Sequence, residues 1–385
     1  MWFKSNSRVV TVALIDRSSL TKLFCQSFFV PATAESQTIA AFGEENLRVM
    51  VQEGELVGAL ALIPMAQWYG GQKVSCTGVG SVAIAPHRRG EGLASQLLQR
   101  SLQELYETGT ALSVLYPATP PLYRKWGYEQ AGLRVTWELP LQNLPRDPLN
   151  IEIRPVPLKV QYFQPLYDRW AAQHNGLIDR HPGLWQLLLQ SATYGYHLGS
   201  ATDPQGYVLY AQERDDRGTR LILKDWVTLT PAATEGSLAF FAQHQAQGEV
   251  VIGHGPLVDS RLLPYPIVLK HQRSWMLRVI HLEKALQQRG YPLHCELELH
   301  LAIEDPLFPH NNDRFCLQVS QGRGQVQRGG QGSLTLSIGA FATLFSGLIP
   351  PAQLQAEGYL DGDPLSVSIA QSLFYGASPW LVDFF

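Results

Sequence analysis

Two arginines and two glycines stand directly in front of a predicted helix, in the segment "SVAIAPHRRGEGLASQLLQRSL" of residues 81–102. These residues are Arg88, Arg89, Gly90 and Gly92. The first N–H groups of a helix lack intrahelical partners, and the helix dipole places partial positive charge there. Glycines let a phosphate approach the backbone, and an arginine adds a charge-assisted hydrogen bond. The segment is therefore predicted to bind a diphosphate, with Arg89 as its cation and Arg88 as a solvated surface charge.

The elements on either side of this turn are predicted from hydrophobic spacing. "GVGSVAIAP" precedes the turn as a strand, in which Gly78 and Gly80 indicate a bulge or a close backbone approach. An apolar face at helical spacing follows, with Gly109 at the position of a C-cap. This face consists of Leu93, Leu97, Leu98, Leu102 and Leu105. The chain contains neither GxGxxG nor GxxxxGK followed by Ser or Thr, so a nucleotide loop of either kind is not predicted.

Composition limits the class of protein. The chain has 385 residues, of which 45% are hydrophobic and 16% charged, and its formal net charge is −3. Large cores can form, and no basic surplus favours nucleic acid. The four cysteines are far apart in sequence, which predicts free thiols rather than disulfides or a zinc site. No apolar run has the length of a signal peptide or a membrane span. We expect a cytoplasmic protein with no membrane or nucleic-acid partner and no metal.

Two similar strand–helix segments predict a duplicated fold. "LKDWVTLTPAATEGSLAFFAQH" aligns with "GVGSVAIAPHRRGEGLASQLLQ", but Thr234 and Ser237 replace Arg89 and Gly92. The second copy is therefore expected to have lost the diphosphate chemistry. Two unrelated strand–helix units are the alternative. A Pro-rich stretch near residue 145 predicts a boundary between the copies.

A third segment completes the chain. Residues 272–292, "QRSWMLRVIHLEKALQQRGYP", are predicted as an amphipathic helix, and the alternation in "CELELHLAI" predicts a half-buried strand. Residues 321–332, "QGRGQVQRGGQG", are predicted as a long hairpin loop rather than an RNA-binding tract. The apolar ending "PWLVDFF" predicts a buried tail.

The spacing Arg89-x-x-Gly92-x-Ala94 resembles the R/Q-x-x-G-x-G/A signature of the GCN5-related N-acetyltransferases. Two such units, the second degenerate, and a small α/β segment with an apolar tail resemble the enhanced-intracellular-survival (Eis) acetyltransferases, bacterial enzymes that acetylate aminoglycosides. "LYRKWGYEQAG" is similar to the family's I-Y-G-R-F-G-Y-G-P-A stretch. The resemblance implies an α/β (α+β) fold in three parts. These are a catalytic acetyltransferase domain (residues 1–147), a degenerate acetyltransferase-like domain (148–285) and a sterol-carrier-protein-like domain that ends in the buried tail (286–385).

The resemblance also implies where acetyl-CoA, the co-substrate, binds. The strand before the turn would pair with its pantetheine, the turn and first helical residues would hold its diphosphate, and the loop before Pro120 would add contacts. The implied contact residues are Val82, Ala83, Ile84, Arg89, Gly90, Glu91, Gly92, Leu93, Ala94, Ser95, Ala118 and Thr119. Pro120 and Pro121 stand where the family often has Gly-Gly, a departure that bears on the contacts of Ala118 and Thr119.

Acetyl transfer to an amine requires a neutral amine, hydrogen-bond donors for the oxyanion and a proton for the departing thiolate. Tyr123 matches the family's proton donor, whereas Trp126 and Tyr128 are expected to pack. The base that the resemblance implies is the α-carboxylate of Phe385. Asp383 is the rival base, and a tail that only fills a groove is the structural alternative.

The resemblance implies an aminoglycoside-like polyamine as the acceptor. Polycations favour an acidic cleft lined by aromatic rings, and Phe24 and Phe28 on the first predicted helix could line one. Protein lysines and small-metabolite amines are alternative acceptors. A protein that binds acetyl-CoA or lipid without catalysis is the alternative from another class. The family also implies a homo-oligomer, either a trimer or a hexamer.

Overall fold

The structure is a computed structural model that describes residues 8–11, 17–29, 31, 33, 39–144, 150–215, 218–255 and 267–385. Thirteen strands of these residues form one large sheet. They are β1 (Arg8–Thr11), β2 (Leu47–Gln52), β3 (Glu55–Tyr69), β4 (Gln72–Ile84), β5 (Leu112–Leu115), β6 (Glu129–Pro140), β7 (Ile153–Pro155), β8 (Ile178–Asp179), β9 (Tyr194–Gly199), β10 (Pro204–Asp215), β11 (Gly218–Thr228), β12 (Val250–His254) and β13 (Val268–Val279).

A smaller sheet near the C-terminus consists of β14 (Leu297–Glu304), β15 (Arg314–Ser320), β16 (Arg323–Arg328), β17 (Leu334–Ser337) and β18 (Leu360–Gly362). Helices pack against both sheets. The α-helices with described bounds are α1 (Arg17–Phe28), α2 (Leu93–Glu107), α3 (Pro120–Arg124), α4 (Val160–Ala171), α5 (Pro182–Ser191), α6 (Pro231–Ala242), α7 (Leu282–Gln288), α8 (Ile338–Ser346), α9 (Pro351–Ala356) and α10 (Pro364–Phe374).

The elements predicted around the diphosphate segment are confirmed. β4 leads into the turn, and α2 follows it with its five leucines buried. Gly109 lies just beyond the helix with a φ of 76°. That left-handed conformation lets the chain leave the helix and enter β5, the strand next to β4. Hydrophobic spacing alone was therefore enough to place the turn between a strand and a helix.

The large sheet runs without a break through the first two parts of the chain. Its strand order is β1-β2-β3-β4-β5-β13-β6-β12-β11-β10-β9-β7, and β8 pairs with β3. β13 lies between β5 and β6, and β12 pairs with the other edge of β6. The two parts therefore exchange strands within one sheet. The predicted boundary between residues 147 and 148 lies outside the described residues and stays a prediction.

The predicted helix over residues 272–292 is wrong. β13 continues to Val279, and the helix is limited to α7. Trp275 to Ile280 are all buried because β13 is a central strand that is covered on both faces. This stretch, which is apolar except for the buried Arg278, has no two-residue alternation, and its spacing can be mistaken for one face of a helix.

The second strand–helix segment forms β11 and α6, as predicted. Thr230 is the N-cap of α6, and its side chain accepts a hydrogen bond from the amide of Ala233. The Thr230 side chain therefore occupies an amide of the first turn of α6. At the equivalent position of the first unit, Gly92 precedes α2 and provides no side-chain cap. The local structure agrees with the prediction that the second copy lost its diphosphate chemistry.

The Arg-Gly segment at residues 321–332 is not a long loop. Gln321 and Gly322 form a tight turn with φ values of 50° and 73°, and Arg323–Arg328 form β16, which pairs with β15. β16 is at the edge of the small sheet, where polar side chains can face water on a regular strand. Low apolar content therefore concealed a strand.

The apolar tail is packed between the first two parts of the chain. Leu381 is fully buried, and Trp380 forms a parallel bridge with Leu133 of β6. The amide of Trp380 donates to the carbonyl of Asn175 in the second part. The tail therefore leaves the small domain, whose core is filled by side chains such as Phe341 and Phe345.

Two ion pairs fix the tail in this position. Arg180 donates to Asp225 over 2.6 Å and to Asp383 of the tail over 2.8 Å, and the Arg180 and Asp225 side chains are fully enclosed.

All four cysteines are free, as predicted, with Cys76 and Cys316 buried. Within the described part of the chain, no helix has the length and apolar character needed to cross a membrane.

Candidate active site

The predicted diphosphate turn has a backbone shape that requires glycine. Gly90 and Gly92 have φ values of 88° and 76°, and a Cβ at either position would meet no other atom within 4 Å. Conformation rather than crowding therefore demands glycine here, and the space above the turn is open. Gly92 is the N-cap of α2, and no side chain caps the helix. The amides of the first turn therefore have no side-chain cap, as a site for a diphosphate would require.

The two arginines of the turn have different roles. Arg88 was predicted to be a solvated charge, and this prediction is wrong. Its Nε donates to Glu91 over 2.8 Å, and its second terminal nitrogen donates to Gln52 over 2.7 Å. The hydrogen bond from Arg88 lowers the pKa of Glu91. Arg88 therefore braces the turn, and Glu91 can offer a ligand only its backbone. Arg89 is exposed and forms no ion pair with a described residue.

The strand before the turn separates from its neighbour. β4 and β5 pair in parallel only from Cys76 to Gly78. Ser81 then adopts a φ of 49°, and the register between β4 and β3 shifts at this point. Beyond this bulge, Val82, Ala83 and Ile84 have no paired residue on the β5 side among the described strands. The gap leaves backbone groups of β4 free for a partner, as the family resemblance predicts for pantetheine.

The remaining predicted contacts lie around this gap. Ser95 on α2 accepts a hydrogen bond over 3.0 Å from the indole Nε1 of Trp126, so its side chain is engaged and its amide is the available group. Leu93 is buried in the core beneath the turn, and Ala94 is half-buried. Ala118 and Thr119 are exposed in the loop that leads into α3. Their contacts with acetyl-CoA stay predictions.

Tyr123 lies on α3 with only 4% of its surface exposed. Burial raises the pKa of its phenol, so the proton is retained at neutral pH. Its ring centre is 6.0 Å from that of Tyr128, whose hydroxyl is 2.7 Å from that of Ser113. Tyr128 therefore packs with a satisfied hydroxyl, as predicted. The hydroxyl of Tyr123 makes no hydrogen bond with a described residue.

The C-terminal residue lies against the two glycines of β4. A Cβ on Gly78 would be 2.8 Å from the ring of Phe385, and one on Gly80 would be 3.2 Å from its carboxyl carbon. The close backbone approach predicted for these glycines is therefore confirmed, and the chain's own end is what approaches. The C-terminal carboxylate lies beside β4, just before the strand separates from β5. Among the described residues it has no ion-pair partner within 4 Å.

The rival base is occupied. Asp383 pairs with Arg180, and its backbone carbonyl accepts a hydrogen bond from the hydroxyl of Tyr116 over 2.8 Å. Burial raises the pKa of the Asp383 carboxyl, while Arg180 opposes this. Asp383 therefore anchors the tail, and the carboxylate of Phe385 is the free one.

The predicted aromatic wall is only partly available. Phe24 is fully buried in the core, because α1 packs against β3 and β4, so it has no surface to offer an acceptor. Phe28 is 39% exposed, and its role stays a prediction. The groups that sequence reasoning missed are the cations beside the tail, Arg134 and Arg273. Arg134 of β6 and Arg273 of β13 are paired residues on neighbouring strands. This pairing could not be predicted because the residues of β13 from Gln272 onward were predicted as a helix.

One group of residues has the composition of a metal site. The ligand atoms of Glu298, His300 and Cys316 lie within 4.8 Å of one another. His300 Nδ1 accepts a hydrogen bond from the amide of Gln331, and Nε2 lies 2.9 Å from Glu298. Both imidazole nitrogens are therefore engaged by protein groups, and the arrangement is that of a hydrogen-bonded surface cluster.

Comparison with known proteins decides the family. Residues 15–131 and 176–279 each match an acetyltransferase (GNAT) domain, and residues 282–382 match a sterol carrier protein domain. A solved GCN5-related N-acetyltransferase from Anabaena variabilis is 38% identical, with a TM-score of 0.96, over 99% of this chain and 100% of that chain. The chain belongs to the GCN5-related N-acetyltransferase family. It is an N-acetyltransferase, and enzymes of this family use acetyl-CoA.

The resemblance to the Eis enzymes is confirmed as well. The N-acetyltransferase Eis of Mycobacterium tuberculosis is 24% identical over 305 residues, which are 72% of this chain and 73% of that protein. Eis1 from Mycobacterium abscessus shares the fold, with a TM-score of 0.81 at 20% identity over 98% of this chain and 100% of that chain. The predicted fold class, two acetyltransferase units followed by a sterol carrier domain, is confirmed.

We expect Arg89→Ala to weaken coenzyme A binding by about tenfold, the value of one charge-assisted hydrogen bond to a phosphate. Titration calorimetry with coenzyme A measures this. The matched control is Arg100→Ala, which removes a positive charge two turns further along α2 and should leave the Kd unchanged. Equal losses in both variants would show a general charge effect and no specific role for Arg89.

Proposed function

We propose that this chain transfers the acetyl group of acetyl-CoA to a primary amine that binds beside its own C-terminal residue. The observation that carries this proposal is the position of Phe385 against Gly78 and Gly80, where β4 begins to leave β5. The same gap leads to the open turn of Gly90 and Gly92. One continuous region thus offers a diphosphate site, a strand edge for pantetheine and a free carboxylate.

The proposed chemistry assigns one proton transfer to each end of the reaction. The carboxylate of Phe385 accepts a proton from the incoming ammonium group, directly or through water, and so supplies the neutral amine that attacks the thioester carbonyl. The new C–N bond forms as the C–S bond breaks. Tyr123 donates its phenolic proton to the departing thiolate, and the second proton that the nitrogen loses as the amide forms returns through water to the Tyr123 phenolate. The carboxylate of Phe385 releases its proton to solvent, so the net products are the amide, free coenzyme A and one proton. Tyr123 is suited to this role because burial keeps it protonated.

The finer identity of the acceptor is a separate part of the proposal. The Eis resemblance favours an aminoglycoside-like polyamine, with protein lysines and small-metabolite amines as alternatives. An acidic cleft would support a polycation, but the hollow beside Phe384 is lined by Arg134 and Arg273. Aminoglycosides therefore belong in the assay as one class of acceptor among several. A cytoplasmic location and a trimeric or hexameric assembly also stay predictions.

A thiol-release assay with acetyl-CoA and a panel of amines, including kanamycin and neomycin, tests the proposed function. We expect release of free coenzyme A that depends on the amine, together with a product heavier by one acetyl group in mass spectrometry. Tight binding of acetyl-CoA without turnover of any amine would contradict the proposal and favour a non-catalytic binding protein.

A further inference from the structure

Two adjoining hollows next to the tail are lined by cations. The first has a volume of about 290 Å³ and is lined by Arg134, Arg273 and Phe384, among others. The second, of about 240 Å³, shares Arg134 and Phe384 with the first and adds Lys224. We call the two together the tail cleft. Its polar lining is the reverse of what a polycationic acceptor requires.

Arg134 and Arg273 lie side by side, and neither forms an ion pair with a described residue. They are directly opposite each other on the antiparallel strands β6 and β13, a position in which like charges are destabilising. Their guanidinium carbons lie 6.0 and 5.5 Å from the ring centre of Phe384. Arg134 uses its Nε to donate to the carbonyl of Val382 over 2.9 Å, which leaves its terminal nitrogens available. Arg273 is exposed and has no ion pair with a described residue.

The other charged groups of the tail cleft leave it positive. Lys224 is half-buried and forms no ion pair with a described residue. Asp383 also lines the cleft, but it is paired with Arg180. Burial lowers the pKa of His254 to about 4, and the charges of Arg134 and Lys224 act in the same direction.

The tail cleft is close to the proposed reaction centre. Phe384, which the two arginines flank, is the residue directly before Phe385. Consecutive Cα atoms are about 3.8 Å apart, so the tail cleft and the C-terminal carboxylate are adjacent along the tail. The lining of the second hollow also includes Leu184, Leu187 and Leu188. An acceptor that reaches from the tail cleft to the carboxylate would place its amine beside Phe385 and an anionic group between the arginines.

We propose that the acceptor is a primary amine that carries a carboxylate or a phosphate, and that Arg134 and Arg273 bind this anionic group. Two guanidiniums at one level of a sheet can form paired hydrogen bonds with either oxyanion. The bound anion also removes the repulsion between the two cations, so binding gains on both counts. This inference rests on the proposed function and narrows its acceptor.

Matched acceptor pairs test the inference. Lysine is cadaverine with a carboxylate added, and glucosamine 6-phosphate is glucosamine with a phosphate added. Acetylation of each is measured by thiol release, with kanamycin as the polycation. We expect kcat/KM to be about 10- to 100-fold higher for the anionic member of at least one pair, the value of a charge-assisted hydrogen bond. The pair that shows the preference tells a carboxylate from a phosphate.

Variants locate the effect. Arg273→Ala should raise KM for the preferred anionic amine by about 10-fold or more, with little change in kcat and little change for the counterpart that lacks the carboxylate or phosphate. Lys270→Ala is the matched control, since it removes a positive charge from the same strand. Lys270 pairs with Glu138 over 2.7 Å and does not line the cleft. The substitution should leave KM unchanged.

The possible failures are distinguishable. Acetylation of cadaverine or kanamycin at rates equal to or above those of the anionic amines, unaffected by Arg273→Ala, would overturn this inference and leave the proposed function intact. Turnover of no amine at all would overturn the proposed function and this inference with it.

Discussion

Replacement of Tyr123 by phenylalanine should lower kcat by about 100-fold or more while coenzyme A binds as before. A positioned general acid contributes about 10²- to 10⁴-fold, and the substitution removes only the proton that the thiolate requires. The hydroxyl makes no hydrogen bond with a described residue, so its loss leaves no buried partner unsatisfied. Single-turnover thiol release measures the chemical step, and calorimetry measures the coenzyme A affinity.

Tyr128→Phe is the matched control for this experiment. Its ring centre is 6.0 Å from that of Tyr123, but its hydroxyl is bonded to Ser113. The change should cost about 1–3 kcal/mol of unfolding free energy, because the Ser113 hydroxyl loses its partner, and should leave kcat nearly unchanged. A Tyr123→Phe enzyme with full kcat, or one that loses coenzyme A affinity in proportion to rate, would contradict the assignment of Tyr123 as acid.

Conversion of the C-terminal carboxylate of Phe385 to an amide should also lower kcat by about 100-fold or more. The amide has almost the same shape but cannot accept the amine proton, so the general-base contribution is lost. The protein can be made as an intein fusion and released with ammonia. The same fusion released by hydrolysis regenerates the native carboxylate and is the matched control. The ring of Phe385 stays against Gly78 in both products.

The pH dependence separates a base from a structural charge. With the carboxylate intact, kcat/KM should fall at low pH through protonation of both the base and the amine, whereas in the amide only the dependence on the free-amine fraction should remain. An amide product with unchanged kcat would show that the tail only fills the groove, which was the structural alternative to catalysis.

How far the sequence could predict this site differs from element to element. The turn was predictable because its rules are local: Gly90 and Gly92 have the positive φ values that only glycine adopts freely, and the leucines of α2 follow at helical spacing. The glycines at 78 and 80 predicted that another group approaches the backbone closely there. The sequence did not show that this group is Phe385, which is about three hundred residues away along the chain.

The charges of the tail cleft could not be predicted in this way. Arg134 and Arg273 meet because β13 of the second part inserts beside β6 of the first, and no local pattern encodes that pairing. Trp275 to Ile280 are all buried and, apart from Arg278, apolar, so they lack the alternation that would have indicated the strand. The exposure of Arg88 was predicted wrongly for a related reason, since one of its partners, Gln52, lies on β2, far from Arg88 in sequence. Local conformation is encoded locally, whereas the electrostatics of this site depend on distant pairings.

A crystal structure with coenzyme A bound tests the central claim most directly. We predict that the diphosphate contacts the amides at the start of α2, beside Gly90 and Gly92, and that the pantetheine follows β4 so that its thiol lies between Tyr123 and the carboxylate of Phe385. Coenzyme A bound elsewhere, or a thiol out of reach of both groups, would contradict the account.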